Sequence, residues 1–145
     1  MANVISIQQF LKKNKTVKEN AFYPATRSLC GEDGKPLEWE IKPISTRENQ
    51  RLQDACLLDV PIPGKPNQYR QKIDSTKYIG KLIAASVVTP DLYNAELQDS
   101  YEVSTPEDLV QELIDDSGEW NSFIQFINDF NGFIPLQEDI DSAKN

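Results

Sequence analysis

The side chains most able to do chemistry in this chain are carboxylates, clustered at Glu107-Asp108, Asp115-Asp116 and Glu138-Asp139-Ile140-Asp141. Two carboxylates in one cleft can divide acid and base roles when apolar surroundings raise the pKa of one of them. A closely spaced set can instead hold a hard cation. The spacing favours neither use. Asp139-Ile140-Asp141 lacks the downstream glycine and final glutamate of an EF-hand loop. The other pairs stand beside candidate helix starts, where the dipole favours acids. They read as solvated charge or capping groups.

Missing residue types exclude more. The 145 residues include no His, so Ser-His-Asp and Cys-His catalysis, imidazole metal sites and histidine pH switches are closed to this chain. Cys30 and Cys56 have no CxxC partner, which rules out a four-thiolate zinc site and leaves them as reduced, small core residues. No GxxxxGK[ST] or GxGxxG phosphate cradle occurs. The chain reads as a non-enzyme with no catalytic residue, metal or cofactor.

Around these residues the pattern predicts an α+β fold, mainly helical, with one antiparallel β-hairpin near the N-terminus. Ser6 and Gln9 suggest a capping box with Ile5 and Phe10 as its hydrophobic staple, opening a short helix to about Lys13. The run Lys12, Lys13, Lys15 and Lys18 reads as a solvated connector. Leu37, Trp39 and Ile41 alternate with Glu38, Glu40 and Lys42, a half-wet strand. Phe22 to Cys30 is its weaker partner across the Gly31-Glu32-Asp33-Gly34 turn, and Pro24 confines that partner to an edge. The hairpin is expected within residues 21–44, its Trp39 face resting on helices.

Ser45-Thr46-Arg47-Glu48 is a second capping box, opening a helix to about Leu58. Three prolines between Pro61 and Pro66 predict a loop. Asp74 or Ser75 should cap a central buried helix through Val88, and Thr89-Pro90 another that covers Leu92 to Ser100. Thr105-Pro106 opens the next. Ser117 caps the last, whose stripe of Trp120, Phe123, Ile124, Ile127 and Phe130 reads as core, with Phe126 at its margin and Gly132 as the stop. The expected organisation is a single domain over residues 1–133 and a flexible acidic tail over residues 134–145.

Charge is divided unevenly. The net is 15 − 23 = −8, yet residues 1–81 carry fourteen Lys/Arg against nine Asp/Glu, and residues 82–143 carry no cation and fourteen acids. Solvated helix faces usually interleave both signs. The basic half can fold against the acidic half, and an acidic surface can also steer a basic partner. Nonspecific binding to nucleic acid or anionic membranes is opposed by the net charge. No uncharged run approaches the roughly 20 apolar residues of a membrane span. Lysines following the first amphipathic segment stand in the wrong order for a secretory signal, so a cytoplasmic chain is expected.

The string Lys77-Tyr78-Ile79-Gly80-Lys81-Leu82, continuing through Ala84-Ala85-Ser86-Val87-Val88 and Asp91-Leu92-Tyr93-Asn94-Ala95-Glu96-Leu97-Gln98-Asp99-Ser100-Tyr101, resembles the XkdN-like tail assembly chaperones of phages and PBSX-type prophage elements. The resemblance extends to Asp33-Gly34-Lys35-Pro36-Leu37-Glu38-Trp39-Glu40, to Pro61-Ile62-Pro63-Gly64-Lys65-Pro66 and to Phe126-Ile127-Asn128-Asp129-Phe130-Asn131-Gly132-Phe133. Glu102 departs from it, standing after the tyrosine where that family tends to have glycine. The resemblance implies a noncatalytic role in the bacterial host cytoplasm: binding the tape measure protein, keeping it soluble and helping recruit tail tube protein. Neither nucleic acid nor membrane is an expected partner. An acidic DNA mimic is the alternative, opposed by acids that cluster at caps instead of forming an even ladder; a carboxylate-metal hydrolase is a more distant one. The resemblance itself identifies no binding residues. From the acidic half, the candidates for partner binding are Glu107, Asp108, Glu112, Asp115, Asp116, Glu119 and Phe126.

Overall fold

A computed structural model describes residues 5–133. The expected tail over residues 134–145 lies outside the described residues. The fold is α+β. In chain order the elements are β1 (Ala21–Tyr23), β2 (Trp39–Ile41), α1 (Thr46–Asp54), β3 (Leu57–Pro61), β4 (Tyr69–Ile73), α2 (Ser75–Ser86), β5 (Val87–Thr89), α3 (Ala95–Ser100), α4 (Pro106–Leu113) and α5 (Ser117–Asn131). Two antiparallel sheets form: β1-β2-β5, and the separate hairpin β3-β4.

The expected hairpin over 21–44 is present but with short strands. Ala21 pairs with Ile41 and Tyr23 with Trp39, and β1 stops before Pro24, which has no N–H for the ladder. Only an isolated bridge, Cys30 to Pro36, continues the approach of the two segments. Trp39 and Ile41 are buried as their alternation predicts, whereas Leu37 is exposed.

Other expectations are corrected, first that of a single hairpin near the N-terminus, since β3-β4 is a second antiparallel ribbon further along the chain. The proline segment is not wholly a loop: Pro61 ends β3, opposite Tyr69, and the turn occupies only the residues between. Both strands of this ribbon are edges, so a missing donor is tolerated. The central helix ends at Ser86, and Val87 to Thr89 form β5, with Val87 opposite Ile41 and Thr89 opposite Glu40. β-Branched residues gain more from that pleated surface than from another helical turn. Thr89-Pro90 is therefore not a helix start; Asn94 caps α3, its Oδ1 accepting from Leu97 N–H at 2.9 Å. The N-terminal segment forms two 3₁₀ turns, Ile7–Phe10 and Lys12–Asn14, and Ser6 accepts from Gln8 N–H instead of closing a capping box. Ile5 and Phe10 are both exposed, so no staple forms.

Local caps position the helices that follow. Ser45 and Glu48 make the expected reciprocal box, Thr105 accepts from Asp108 N–H, and Gly132 closes α5 in the left-handed region at φ 72°. Asp116, one residue before the expected Ser117, caps α5. Helix α2 touches α1, α4 and α5, and the shared core comprises Trp39, Ile41, Leu82, Ile83, Leu92, Leu109, Val110, Leu113, Phe123 and Ile127 with smaller neighbours. Glu102 follows α3 at φ 57°. Its N–H bonds to the Asp99 carbonyl, and Val103 N–H bonds to the Gln98 carbonyl. A side chain here costs about 1–2 kcal/mol relative to glycine, which gives the departure at this position a structural meaning.

Candidate partner-binding surface

The seven candidate residues all belong to α4, α5 and the link between them, but they do different work. Helix α4 buries Leu109, Val110 and Leu113, which turns Asp108 and Glu112, four positions apart, to solvent on a shared face. Asp115 is exposed in the link. Glu107 faces back toward α2, where its Oε1 lies 3.3 Å from Lys81 Nζ, each side chain about one-third exposed.

The other three are tied into the fold. Asp116 Oδ2 accepts from Glu119 N–H at 2.9 Å. Glu119 then accepts from Thr26 Oγ1–H and from Arg27 N–H, both at 2.8 Å. Thr26 is fully buried, so this carboxylate satisfies an interior hydroxyl and stitches α5 to the segment after β1. Phe126 stacks on Tyr23 at 4.3 Å between ring centroids, and on Phe130 at 5.9 Å. Lys18 Nζ lies 4.4 Å from the Phe130 ring centroid and donates to the Phe130 carbonyl. The candidate set therefore separates into an exposed trio, Asp108, Glu112 and Asp115, and four residues with internal partners.

Sequence reasoning did not find those partners. Tyr23, Thr26 and Lys81 come from distant parts of the chain, and no short-range spacing marks them. Elsewhere, Lys42 and Glu48 pair at 2.9 Å, and hydrogen bonding from this ammonium holds the Glu48 carboxyl below its ordinary pKa. Burial raises the Tyr78 phenol, with the nearby Cys56 adding to the effect; the hydroxyl donates to Asn49 Oδ1. A surface concavity of about 420 Å³ is lined by Asp91, Asn94, Glu96, Leu97 and Ser100. Ser100 Oγ there donates to the Leu97 carbonyl. Among the described residues, no group of three His, Cys, Asp or Glu side chains is placed to hold a metal ion, and no helix is long and apolar enough to cross a membrane.

Comparison with known proteins decides the family. Residues 7–144 match the phage XkdN-like tail assembly chaperone family. The chain belongs to that family. Along 144 residues it is 21% identical to the phage-like element PBSX protein XkdN of Bacillus subtilis strain 168, covering 99% of this chain and 96% of that one. It is 19% identical over 135 residues to the uncharacterized protein YqbN of the same strain, covering 92% and 89% respectively. The crystal structure of YqbN superposes with a TM-score of 0.73 at 17% identity, over 91% of this chain and all of that one. This last likeness shows a shared fold. A tail assembly chaperone family places the search for partners among phage tail proteins.

Proposed function

We propose that this chain is a noncatalytic chaperone that binds the tape measure protein in the host cytoplasm and helps recruit tail tube protein. The observation that carries the reading is the exposed acidic trio on and beside α4, within a stretch from Leu82 to Ala143 that has no cation. A basic, amphipathic helical client matches such a surface in charge and approaches it faster for that reason. Family membership supports tail assembly as the setting, and the family's description as a chaperone supports a role without catalysis.

The test is coexpression with the tape measure protein of the same phage element, followed by affinity measurement across salt. Reversing Asp108, Glu112 and Asp115 together to Lys should weaken binding at least about tenfold, since each exposed pair is worth up to about 1 kcal/mol. Raising salt should weaken the parent complex in the same direction. Binding untouched by both changes overturns the acidic surface as the site. Inhibition of a DNA-binding enzyme without tape measure binding would favour the DNA mimic instead.

A further inference from the structure

Among the described residues, the N-terminal arm buries none of its side chains in the fold. Residues 5–20 are exposed throughout, and four apolar side chains there stand well out in water: Ile5 at 64%, Ile7 at 73%, Phe10 at 70% and Val17 at 82%. Scattered surface apolar residues are ordinary, but four within thirteen positions, with Leu11 also exposed, form a contact surface without a contact. Lys12, Lys13 and Lys15 lie among them. The ion pairs among the described residues are Lys42–Glu48 and Lys81–Glu107, so the described acids leave these three lysines free.

The arm's root is fixed. Lys18 is held at the C-terminal end of α5 through the Phe130 carbonyl and ring. From Val17 back to Ile5 is thirteen residues, which can extend roughly 40 Å at about 3.3 Å per residue. The segment is basic, with Lys12, Lys13 and Lys15 in water, so its complement in charge is an acidic surface. A basic client does not attract a basic arm, and a net charge of −8 opposes docking on anionic lipid. The acidic surface present wherever this chain is present is that of another copy, at Asp108, Glu112 and Asp115.

We propose that the arm of one copy docks on the α4 face of a second copy, so that the protein self-associates by arm exchange. Reciprocal exchange closes a two-fold dimer, whereas one-way docking continues into a chain of copies. In either arrangement the arm occupies the face argued above to receive the client, and client binding releases it. The self-association itself does not depend on that reading and is measured without a client.

Sedimentation equilibrium of the full chain across a concentration series gives the test. At low salt the average mass should rise above 16.5 kDa with concentration, and added salt should reverse the rise. An arm variant (Lys12→Glu, Lys13→Glu, Lys15→Glu) and a face variant (Asp108→Lys, Glu112→Lys, Asp115→Lys) should each weaken association at least about tenfold. Both alter exposed residues, so thermal melting close to the parent's is expected. Mixing the two variants should restore association, because each then offers the other a complementary surface. A parent mass independent of concentration overturns the proposal, as does association that survives either variant or a mixture that stays monomeric. Binding of the parent, but not the arm variant, to anionic phosphatidylserine vesicles while the parent remains monomeric would assign the arm to a lipid surface and also overturn it.

Discussion

Strand β2 and the ribbon β3-β4 are both antiparallel β-structure with large apolar side chains, and they meet opposite fates. Trp39 and Ile41 of β2 are 2% and 0% exposed, while Leu58 and Tyr69 of the ribbon are 40% and 60% exposed. Helices make the difference. Phe123 of α5 meets the Trp39 ring edge-on at 5.7 Å and lies parallel to Tyr23 at 5.6 Å, whereas Leu57, Leu58 and Tyr69 of the ribbon stay exposed. Hydrophobic content therefore does not locate the core of this protein. Cover by α2, α4 and α5 does, and the ribbon persists because its ladder is pinned where it leaves α1 and enters α2.

The contrast can be broken most forcefully at Phe123. Its truncation to Ala should cost about 3–5 kcal/mol through lost transfer energy and a cavity, read as a lower midpoint in urea. A variant that unfolds with the parent would mean that the covered sheet is no better packed than the ribbon. Next in size is Glu119→Ala, which removes the acceptor of Arg27 N–H and one partner of the buried Thr26 hydroxyl, leaving the latter its 2.8 Å contact with Ser28 Oγ. Equilibrium denaturation should register a loss of about 1–3 kcal/mol. If stability is unchanged while client binding falls, Glu119 belongs to the partner surface and not to the fold.

A smaller effect is expected from acid. The folded pKa of Glu48 lies below its unfolded value because Lys42 hydrogen-bonds the ionised form. Its contribution is thus full above the unfolded carboxyl pKa and is lost as pH falls through the folded one. Glu48→Gln keeps the capping-box pattern and should flatten the acidic limb of a stability–pH curve by under about 1 kcal/mol, since the pair is partly exposed. Least of all should follow from Leu58→Ser on the ribbon, within about 0.5 kcal/mol. A loss several times larger would show that the ribbon shares the core's cooperativity.

What the sequence made legible was local. Ser45 with Glu48, Thr105 with Pro106, and Gly132 each act within one turn of helix, and each is found at its predicted post. β5 was not legible, because Val87 becomes a strand only through Ile41, a partner 46 positions away. The ribbon was hidden by prolines, whose cost falls away on strands that are edges already. For the candidate surface, the excess of acid was plain in the chain, but its division of labour was not. Glu119 and Asp108 are the same kind of residue by composition. Only Thr26 and Arg27, 93 and 92 positions from Glu119, distinguish the tether from the free carboxylate.

The register of the ribbon carries one more consequence. Leu57 faces Ile73, and Asp74 N–H bonds to the Cys56 carbonyl at 2.7 Å, so the chain leaves and re-enters the body of the protein at a single doorway. Residues 57–73 are in this sense a cassette. A short glycine-containing turn should be able to replace the segment and leave α1 and α2 joined, and a foreign peptide or fluorescent tag should be tolerated at its tip around Gly64. The same doorway lets tail assembly be assayed with the ribbon removed, exchanged or marked, without asking the rest of the molecule to refold.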